Sequence, residues 1–390
     1  MRRNILIAIL LLPICVILTL LLPKSAPPQQ ITVTTVATDL RNPRGVAVFP
    51  DGRLLVAEAG DGAGDQDTGG HIRIFSDVNN DGDFDDADER TMVMCCVGGY
   101  NTLTHYGTGQ DEVGGLGDVS LLADGRVFYT QDDPLGGYVP DGSSRGIAIL
   151  GLTPAPEWRR YEIAVRSVTN NALVYDPDAD VLYIAESGWN RISAVTLDGV
   201  VTPMIEFPSL AHGQQAVPSG LARDPRTGEL LVALFSGQIR DYFGTVIAYM
   251  PEDARIVRLN PQTGEWHDEI VGLTTAVDVA IDDAGNIYVV ELATGWAAAV
   301  MPRAFPLFDR DAPPDAGGYP RFSGRVTMYP VDGSSPRLLA QGLDAPTNIT
   351  YRDGALYVSA GQGTPGRPIM GPTGRTRITG TLYRITGFRP

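Results

Sequence analysis

An acidic segment with the spacing of a calcium-binding loop spans residues 77–89 and reads DVNNDGDFDDADE. Counted from its first aspartate, oxygen-bearing side chains fall at positions 1, 3, 5, 7, 9 and 12, and a glycine falls at position 6. In such loops the glycine makes a sharp turn while hard oxygen ligands surround a hard cation. We therefore predict a calcium ion held by Asp77, Asn79, Asp81, Asp83, Asp85 and Asp88.

The last ligand position of this loop departs from the usual pattern. Asp88 stands where a bidentate glutamate is common, and Glu89 follows one place late. The alternative interpretation is a solvated acidic hairpin loop without a metal. The flanking strands place the loop on the face opposite the tunnel mouth described next, so the role predicted for the calcium is structural.

A second set of polar residues becomes visible when the repeated strand pairs of the chain are aligned. One position opens the first strand of each repeat and the other closes the second strand. Both lie at one end of the repeat, because adjacent antiparallel strands begin and end together. We predict that these side chains converge on the mouth of a central tunnel and hold a second cation, or a cationic or polyhydroxyl ligand. The alternative is a polar wall that holds only ordered water. The predicted set is Glu58, Asp118, Asn171, Glu186, Asp278, Glu291 and Asn348.

The cysteines and histidines provide weaker signals. Cys95 and Cys96 are adjacent, and neighbouring Cα atoms lie about 3.8 Å apart, below the usual range for a disulfide. Two thiols on alternate faces of a strand are therefore favoured over a vicinal disulfide, although some quinone-cofactor dehydrogenases carry such a bond. The histidines have no metal-ligand spacing, and no Ser-His-Asp order, Walker loop or Rossmann fingerprint is present. They are His71, His105, His212 and His267.

Six copies of one strand pair position these residues. Each copy contains a Pro- or Gly-containing turn, a short apolar strand, a tight turn and a strand rich in Val, Ile and Tyr; the first is NPRGVAVFPDGRLLVAEAG, residues 42–60. Successive tight turns are 47 to 73 residues apart, which is typical of four-stranded propeller blades. The sequence predicts an all-β, six-bladed β-propeller over residues 31–390. The unpartnered segment ITVTTVA (31–37) is expected to complete the sixth blade and so close the ring.

The N-terminus has the features of a membrane anchor. Arg2 and Arg3 precede an apolar stretch of 18 residues, from Ile5 to Leu22. That stretch is longer than the roughly 7–15 residues of a signal-peptide core and close to the roughly 20 of a membrane span. We predict an uncleaved signal anchor over residues 1–22, with a cleaved signal peptide as the alternative, and a linker over residues 23–30. The arginines stay cytoplasmic, so the propeller is expected on the extracytoplasmic side, membrane-anchored or secreted.

The composition limits the partners. The chain carries 46 Asp and Glu against 30 Lys and Arg, a formal charge of −16. A field of that sign repels phosphate backbones and anionic lipid headgroups, which disfavours nucleic acid and restricts membrane contact to the N-terminal helix. A small molecule, a glycan or another protein at the tunnel mouth is compatible with it.

The blade sequences resemble NHL-type propellers in general. Two stretches, GLTTAVDVAIDDAGNIYVVELATG and VPSGLARDPRTGELLVALFSG, together with a first unit of the form N-x-x-GVAV-x-PDG, look like the ScyD/ScyE family named for scytonemin biosynthesis. The similarity covers roughly residues 38–300 and implies an exported six-bladed propeller. The chain departs from that family in its acidic insert and in the Cys95–Cys96 pair.

Two classes of function compete. The first is a binding or scaffold propeller with a structural calcium loop and a polar tunnel-mouth site. The second is an extracytoplasmic enzyme: a sugar dehydrogenase using pyrroloquinoline quinone, or a calcium-dependent lactonase or esterase. For the quinone enzyme, His105 and Arg145 are the nearest candidates. Hydrolases of the gluconolactonase and paraoxonase kind place their metal ligands one residue earlier in the inner strand, where only Asn170 matches.

Binding is favoured over catalysis, because the ligand offset of the hydrolases fails in five blades and the acidic tunnel rim does not suit a quinone enzyme. The long loops after second strands carry aromatic residues on the tunnel-mouth face. Such side chains suit a sugar, a glycan or a peptide. They are Tyr242, Phe243, Trp296 and Phe305.

Overall fold

The computed structural model describes residues 30–63, 69–102, 108–132, 148–166, 169–240, 246–295, 301–302 and 318–388. The predicted anchor and most of the predicted linker lie outside these residues. Within them, the structure contains no helix long and apolar enough to cross a bilayer.

Six four-stranded antiparallel sheets form the predicted six blades, each with the inner strand given first. Blade 1 comprises Pro43–Val48, Leu54–Gly60, Gly69–Phe75 and Arg90–Val97. Blade 2 comprises Leu116–Leu121, Val127–Gln131, Ala148–Leu152 and Arg160–Val165. Blade 3 comprises Asn170–Asp176, Val181–Glu186, Arg191–Thr196 and Val201–Glu206. Blade 4 comprises Pro218–Arg223, Leu230–Leu234, Ala254–Leu259 and Trp266–Leu273.

Blade 5 comprises Ala276–Ile281, Ile287–Glu291, Gly324–Tyr329 and Arg337–Leu343. Blade 6 comprises Asn348–Arg352, Ala355–Ala360, Gly380–Thr386 and, as its outer strand, Thr32–Leu40. This outer strand comes from the N-terminal end of the described chain and pairs antiparallel with Gly380–Thr386, from Thr32 opposite Thr386 to Leu40 opposite Gly380.

Short elements decorate the connections. They comprise a 3₁₀ helix at Ser187–Trp189 and four small antiparallel pairs: Tyr100–Asn101 with Val113–Gly114, Thr108–Gly109 with Met301–Pro302, Ile239–Arg240 with Val246–Ile247, and Pro368–Gly371 with Gly374–Arg377.

The apolar core lies between neighbouring blades. Second strands such as Leu54–Gly60 and Leu230–Leu234 are buried at every position, because each of their faces packs against another blade. This explains why they read as continuous apolar runs and not as alternating ones. One cluster, for example, joins Leu55 and Ile72 of blade 1 to Tyr129 and Leu150 of blade 2.

The acidic loop joins the third and outer strands of blade 1, as the sequence predicted, and it also contacts the N-terminal strand. Asp85 accepts hydrogen bonds from the backbone N–H of Thr38 at 2.8 Å and from its hydroxyl at 3.1 Å. The N–H of Phe84 donates to the carbonyl of Val36 at 2.7 Å, and the ring of Phe84 packs edge-on against Phe75. The loop therefore fastens the strand Thr32–Leu40 to blade 1 as well as to blade 6.

Cys95 and Cys96 form a vicinal disulfide at the end of the outer strand of blade 1. The expectation of two free thiols on alternate faces was therefore wrong. The regular alternation that it assumed ends here, because Cys96 has a positive φ of 70° and the strand stops at the next residue.

The N-terminal strand provides the first testable prediction. A protein lacking residues 1–38 loses most of Thr32–Leu40, including the buried Val36 and Ala37. It exposes the edge of Gly380–Thr386 and should aggregate or unfold at a lower temperature. A protein lacking residues 1–29 keeps the strand and serves as the matched control. Thermal unfolding and size-exclusion chromatography compare the two, and a stable monomer without residues 1–38 would contradict the role given to this strand.

Candidate functional site

A cavity of about 470 Å³ opens at the end of the channel where second strands finish. Its walls come from segments that follow second strands or precede inner strands. Aromatic surface comes from Tyr100, Phe235 and Tyr319. Side-chain amides come from Gln110, Gln214, Gln215 and Gln238. This is the tunnel-mouth face on which the sequence placed the ligand site.

The floor of this cavity is built by irregularities in the inner strands. In blades 1, 3, 4 and 5 a β-bulge leaves one residue unpaired near the start of the inner strand, and such bulges redirect a side chain. The unpaired residues line the cavity together with the residue that precedes the inner strand of blade 6. They are Arg44, Asn171, Ser219, Val277 and Thr347, and we call this set the floor ring.

The bulge in blade 3 corrects the alignment made from the sequence. Ala172 pairs with Ala185 just as Gly45 pairs with Ala57, so Ala172 and not Asn171 is equivalent to Gly45. Asn171 lies one residue earlier, in the floor ring. Asn170, which the alignment had assigned to that earlier position, pairs with Glu186 and is buried.

Beneath the floor ring, three of the predicted residues meet at the channel axis. The amide nitrogen of Asn348 lies 2.8 Å from Asp278 Oδ2 and 3.4 Å from Asp118 Oδ1. Two glycines of preceding blades leave room for them: a Cβ on Gly220 would lie 2.3 Å from Asp278 Oδ1, and one on Gly45 would lie 2.9 Å from the Cα of Asp118. We call these three polar residues the channel plug, because they separate the mouth cavity from another of about 300 Å³ on the far side.

The channel plug accepts hydrogen bonds from one inner-strand N–H group of every blade. Inner strands are sheet edges, so these groups have no strand partner and need another acceptor. Asn348 accepts from blade 1, Asp118 from blades 2 and 3, and Asp278 from blades 4, 5 and 6. The donors are the N–H groups of Val46 at 3.2 Å, Val119 at 2.9 Å, Leu173 at 3.2 Å and Ile349 at 2.9 Å, together with those of Leu221 and Val279.

Burial changes the acidity of the plug. Loss of solvent raises the pKa of Asp118 to about 7, against the opposing effect of its backbone hydrogen bonds. Burial, and then the neighbouring charge of Asp118, raises the pKa of Asp278 well above its ordinary value. The two carboxyl groups therefore retain protons at a pH where exposed aspartates have lost them.

The other predicted glutamates do not reach the cavity. Each lies at or near the end of a second strand and is held by an arginine of the neighbouring third strand, so Glu58, Glu186 and Glu291 do not converge on the tunnel as predicted. Glu58 binds Arg73, with Nε at 2.8 Å; Glu186 binds Arg191, with Nε at 2.5 Å; Glu291 binds Arg325. The arginines in the third strands were the signal that could have revealed these pairs.

Glu58 shows how strongly such a pair is held. Its side chain is fully buried, and it also accepts from the backbone N–H of Arg41 at 2.8 Å and lies 3.1 Å from His71 Nε2. Burial acts to raise the pKa of Glu58, but the hydrogen bond and charge of His71 and the charge of Arg73 outweigh it and lower that pKa. The carboxylate is thus already satisfied by the protein and is not available to a ligand.

Two features of the cavity wall were not predicted. Tyr319 donates to Glu112 Oε1 at 2.8 Å and stacks on Tyr249 with ring centroids 6.0 Å apart; burial raises the pKa of Glu112. At the rim, His212 Nδ1 lies 2.5 Å from Asp253 Oδ2, which also accepts from Gln214 at 2.5 Å. Neither pair lies in a strand repeat, so alignment of the repeats could not have found it.

In the acidic loop, side chains accept hydrogen bonds from the backbone of the loop itself. Asp77 accepts from the N–H groups of Asp81 and Gly82, both at 3.1 Å. Glu89, which is buried, accepts from the N–H of Val78 at 2.8 Å. Glu89 and not Asp88 therefore turns into the loop, while Asp85 is engaged by Thr38 and Arg90.

Other predicted features lie outside the described residues, namely Tyr242, Phe243, Trp296, Phe305, His105 and Arg145. Among the residues that the structure does describe, no group of three or more His, Cys, Asp or Glu side chains is arranged to hold a metal ion.

The raised pKa of Asp118 predicts a specific pH dependence of stability. The folded protein holds a proton on this group up to pH about 7, whereas the unfolded chain releases it near pH 4. Its contribution to the free energy of unfolding is therefore fully present below about pH 4 and is lost as the pH rises through about 7. Asp118→Asn has no such proton, so the stability advantage of the wild type over this variant should shrink between pH 4.5 and about 7.5.

Urea unfolding of the wild type and of Asp118→Asn at about pH 4.5 and about pH 7.5 measures this difference in stability. Asp51→Asn, which changes an exposed turn residue, is the control and should show no comparable trend. A wild-type advantage that is constant or grows with pH would contradict the proposed state of the plug.

Comparisons with known proteins concern the fold alone. No protein-family model matches the sequence, and no curated protein is significantly similar to it. A chain of the nidogen/laminin complex is 12% identical, with a TM-score of 0.50 over 80% of this chain and 86% of that one. A protein of unknown function from Bacteroides thetaiotaomicron VPI-5482 is 11% identical, with a TM-score of 0.54 over 92% and 76%.

An aldose sugar dehydrogenase from Streptomyces coelicolor, solved with pyrroloquinoline quinone bound, is 17% identical with a TM-score of 0.48, covering 92% of this chain and all of that one. At such identities a likeness carries no information about ligand or reaction. The comparisons and the sheet topology together show the fold, a six-bladed β-propeller.

Proposed function

We propose that this protein is an extracytoplasmic ligand-binding propeller, exported by its N-terminal segment, which holds a small polar molecule in the mouth cavity. The observation that carries the proposal is the cavity itself: about 470 Å³, closed below by the channel plug and lined by aromatic rings and amides. Small-molecule sites have this size and this mixture of apolar wall and few polar groups.

The rigidity of the wall supports the same conclusion. Tyr319 is fixed by its hydrogen bond to Glu112 and by contacts with Tyr249 and Phe235. Gln238 donates to Gln110 at 2.9 Å. A wall whose side chains are already ordered loses little conformational entropy when a ligand enters, which favours binding.

A cavity-filling substitution tests the proposal. Val277→Trp places an indole over the floor of the cavity, whereas Val271→Trp changes an exposed position in the outer strand of blade 4. In thermal-shift assays with a panel of sugars, sugar acids, amino acids and amines, at least one compound should raise the melting temperature of the wild type and of Val271→Trp. It should not raise that of Val277→Trp, because a ligand stabilises only the state that binds it.

Failure of the whole panel, or an equal shift in both variants, would contradict a site in this cavity. The panel includes cationic amines and neutral sugars, so it also tests the ligand classes predicted from the sequence.

We also propose that the acidic loop binds calcium in a structural role. Asp77, Asn79 and Asp81 already accept backbone N–H groups of the loop, so the chain is wrapped with carboxylate and amide oxygens close together. Partial desolvation and then the negative charges of Glu89, Asp81, Asp83 and Asp88 raise the pKa of Asp86. A divalent cation would relieve that repulsion, with Asp77, Asn79, Asp81 and Glu89 as its holders.

Chelation tests the calcium proposal. EDTA should lower the melting temperature of the wild type, because a metal bound only to the folded state contributes about 2.7 kcal/mol at a hundredfold excess over its dissociation constant. Asp77→Ala with Asp81→Ala should abolish the response. The control, Asp198→Ala with Asp283→Ala, removes the same charge from exposed positions and should respond as the wild type does. A double loop variant that stays sensitive to EDTA would place the metal elsewhere.

A second candidate function, an extracytoplasmic enzyme, is favoured by one observation at the rim. Asp253 orients His212 through Nδ1, which leaves Nε2 as a possible general base. The floor ring argues against the calcium-dependent lactonase or esterase, because it contains the cation Arg44 and no carboxylate. Pyrroloquinoline quinone is anionic and would tolerate Arg44. Elemental analysis and an absorption spectrum of the purified protein separate these candidates.

We further propose that the chain belongs to the ScyD/ScyE family, which its blade sequences resemble.

A further inference from the structure

Two side chains of the floor ring have no hydrogen-bond partner among the residues that the structure describes. Ser219 Oγ donates to the carbonyl of Ala276 at 3.1 Å, and Thr347 Oγ1 donates to that of Pro43 at 2.8 Å. Arg44 and Asn171, by contrast, form no hydrogen bond or ion pair with any residue in the described part of the chain, although both face the cavity.

Arg44 is the only cationic side chain among the described residues that line the cavity. A guanidinium carries five donors in a planar fork and does not lose its proton in proteins. Glu112 and Asp118 are near enough to interact with its charge, yet neither lies within ion-pair distance. Among the described residues the donors of this guanidinium therefore have no acceptor, which is costly away from bulk water.

From this arrangement we infer that the floor of the mouth cavity is a carboxylate-recognition subsite, in which Arg44 and Asn171 hold the carboxylate group of a small organic acid. The inference deepens the ligand-binding function proposed above and rests on it. A carboxylate accepts two parallel N–H groups from a guanidinium, and the amide of Asn171 in blade 3 supplies a further donor.

The charges around the floor select among oxyanions. A singly charged carboxylate is balanced by the single guanidinium. A phosphate dianion would instead leave one of its two negative charges without a partner cation in the floor ring. An ammonium group would meet Arg44 directly, so the cationic ligand expected from the sequence does not fit this floor. The remainder of the acid lies along the wall, where Phe235 and Gln214 offer apolar and amide contacts.

Calorimetric titration with three probes of equal size tests the inference. Glucuronate, glucose and glucosamine share one ring and differ in charge, and inorganic phosphate is the fourth probe. Glucuronate should bind the wild type at least tenfold more tightly than glucose or glucosamine. Arg44→Gln should weaken glucuronate binding by roughly ten- to a hundredfold, as expected for loss of a charge-assisted pair, and leave glucose binding unchanged.

Three further variants complete the experiment. Arg44→Lys should restore only part of the affinity, because it returns the charge without the fork. Asn171→Leu should weaken glucuronate binding without a change of charge. Arg53→Gln removes an exposed arginine paired with Asp51 and should bind as the wild type does. Melting temperatures verify that each variant is folded.

The outcomes separate the two proposals. Equal affinity for glucuronate and glucose, with no effect of Arg44→Gln, would overturn the carboxylate subsite and leave a ligand-binding cavity. Tighter binding of phosphate than of glucuronate would overturn the choice of a carboxylate. If none of the four probes bound at millimolar concentration, the proposed function would lose its support together with this inference.

Discussion

The rest of the structure depends on how six inner strands satisfy their inward-facing N–H groups. Each blade of a propeller is a separate sheet with one edge at the rim and one at the channel, so every inner strand presents an edge to the channel. Here the channel plug of Asp118, Asp278 and Asn348 provides acceptors for one such group in each blade. Because donors from all blades meet on three side chains, the plug holds the ring together at its axis and ends the mouth cavity from below.

The plug also explains why the converging acids need not indicate a metal. Both aspartates accept backbone N–H groups, and burial keeps the carboxyl groups protonated to higher pH. One layer higher lies Arg44, whose charge has no ion-pair partner among the described residues. A bulge places that residue in the cavity, whereas regular pairing would have left the floor to the plug residues alone. The separation into a satisfied lower layer and an unsatisfied upper layer is what makes the mouth a candidate binding site.

The acidic loop lies on the face opposite the mouth cavity. Its Asp85 and Phe84 contact the strand Thr32–Leu40, which belongs to blade 6. Any cation in the loop would therefore order the contact between blades 1 and 6. The proposed ligand site and this contact lie on different faces, so a change in one does not require a change in the other.

The sequence by itself determined the number of blades, their four strands and the strand pairs, because apolar runs and tight turns are local and repeat six times. It also placed Asp118, Asp278 and Asn348 at one level of the channel. Only the tertiary structure decided which side chains line the cavity. A bulge shifts the alternation of side chains by one residue and cannot be recognised in the hydrophobic pattern of the sequence. That shift separated Asn171 from the plug. Pairing between neighbouring strands keeps Glu58, Glu186 and Glu291 away from the tunnel, because each forms an ion pair with an arginine of the adjacent third strand.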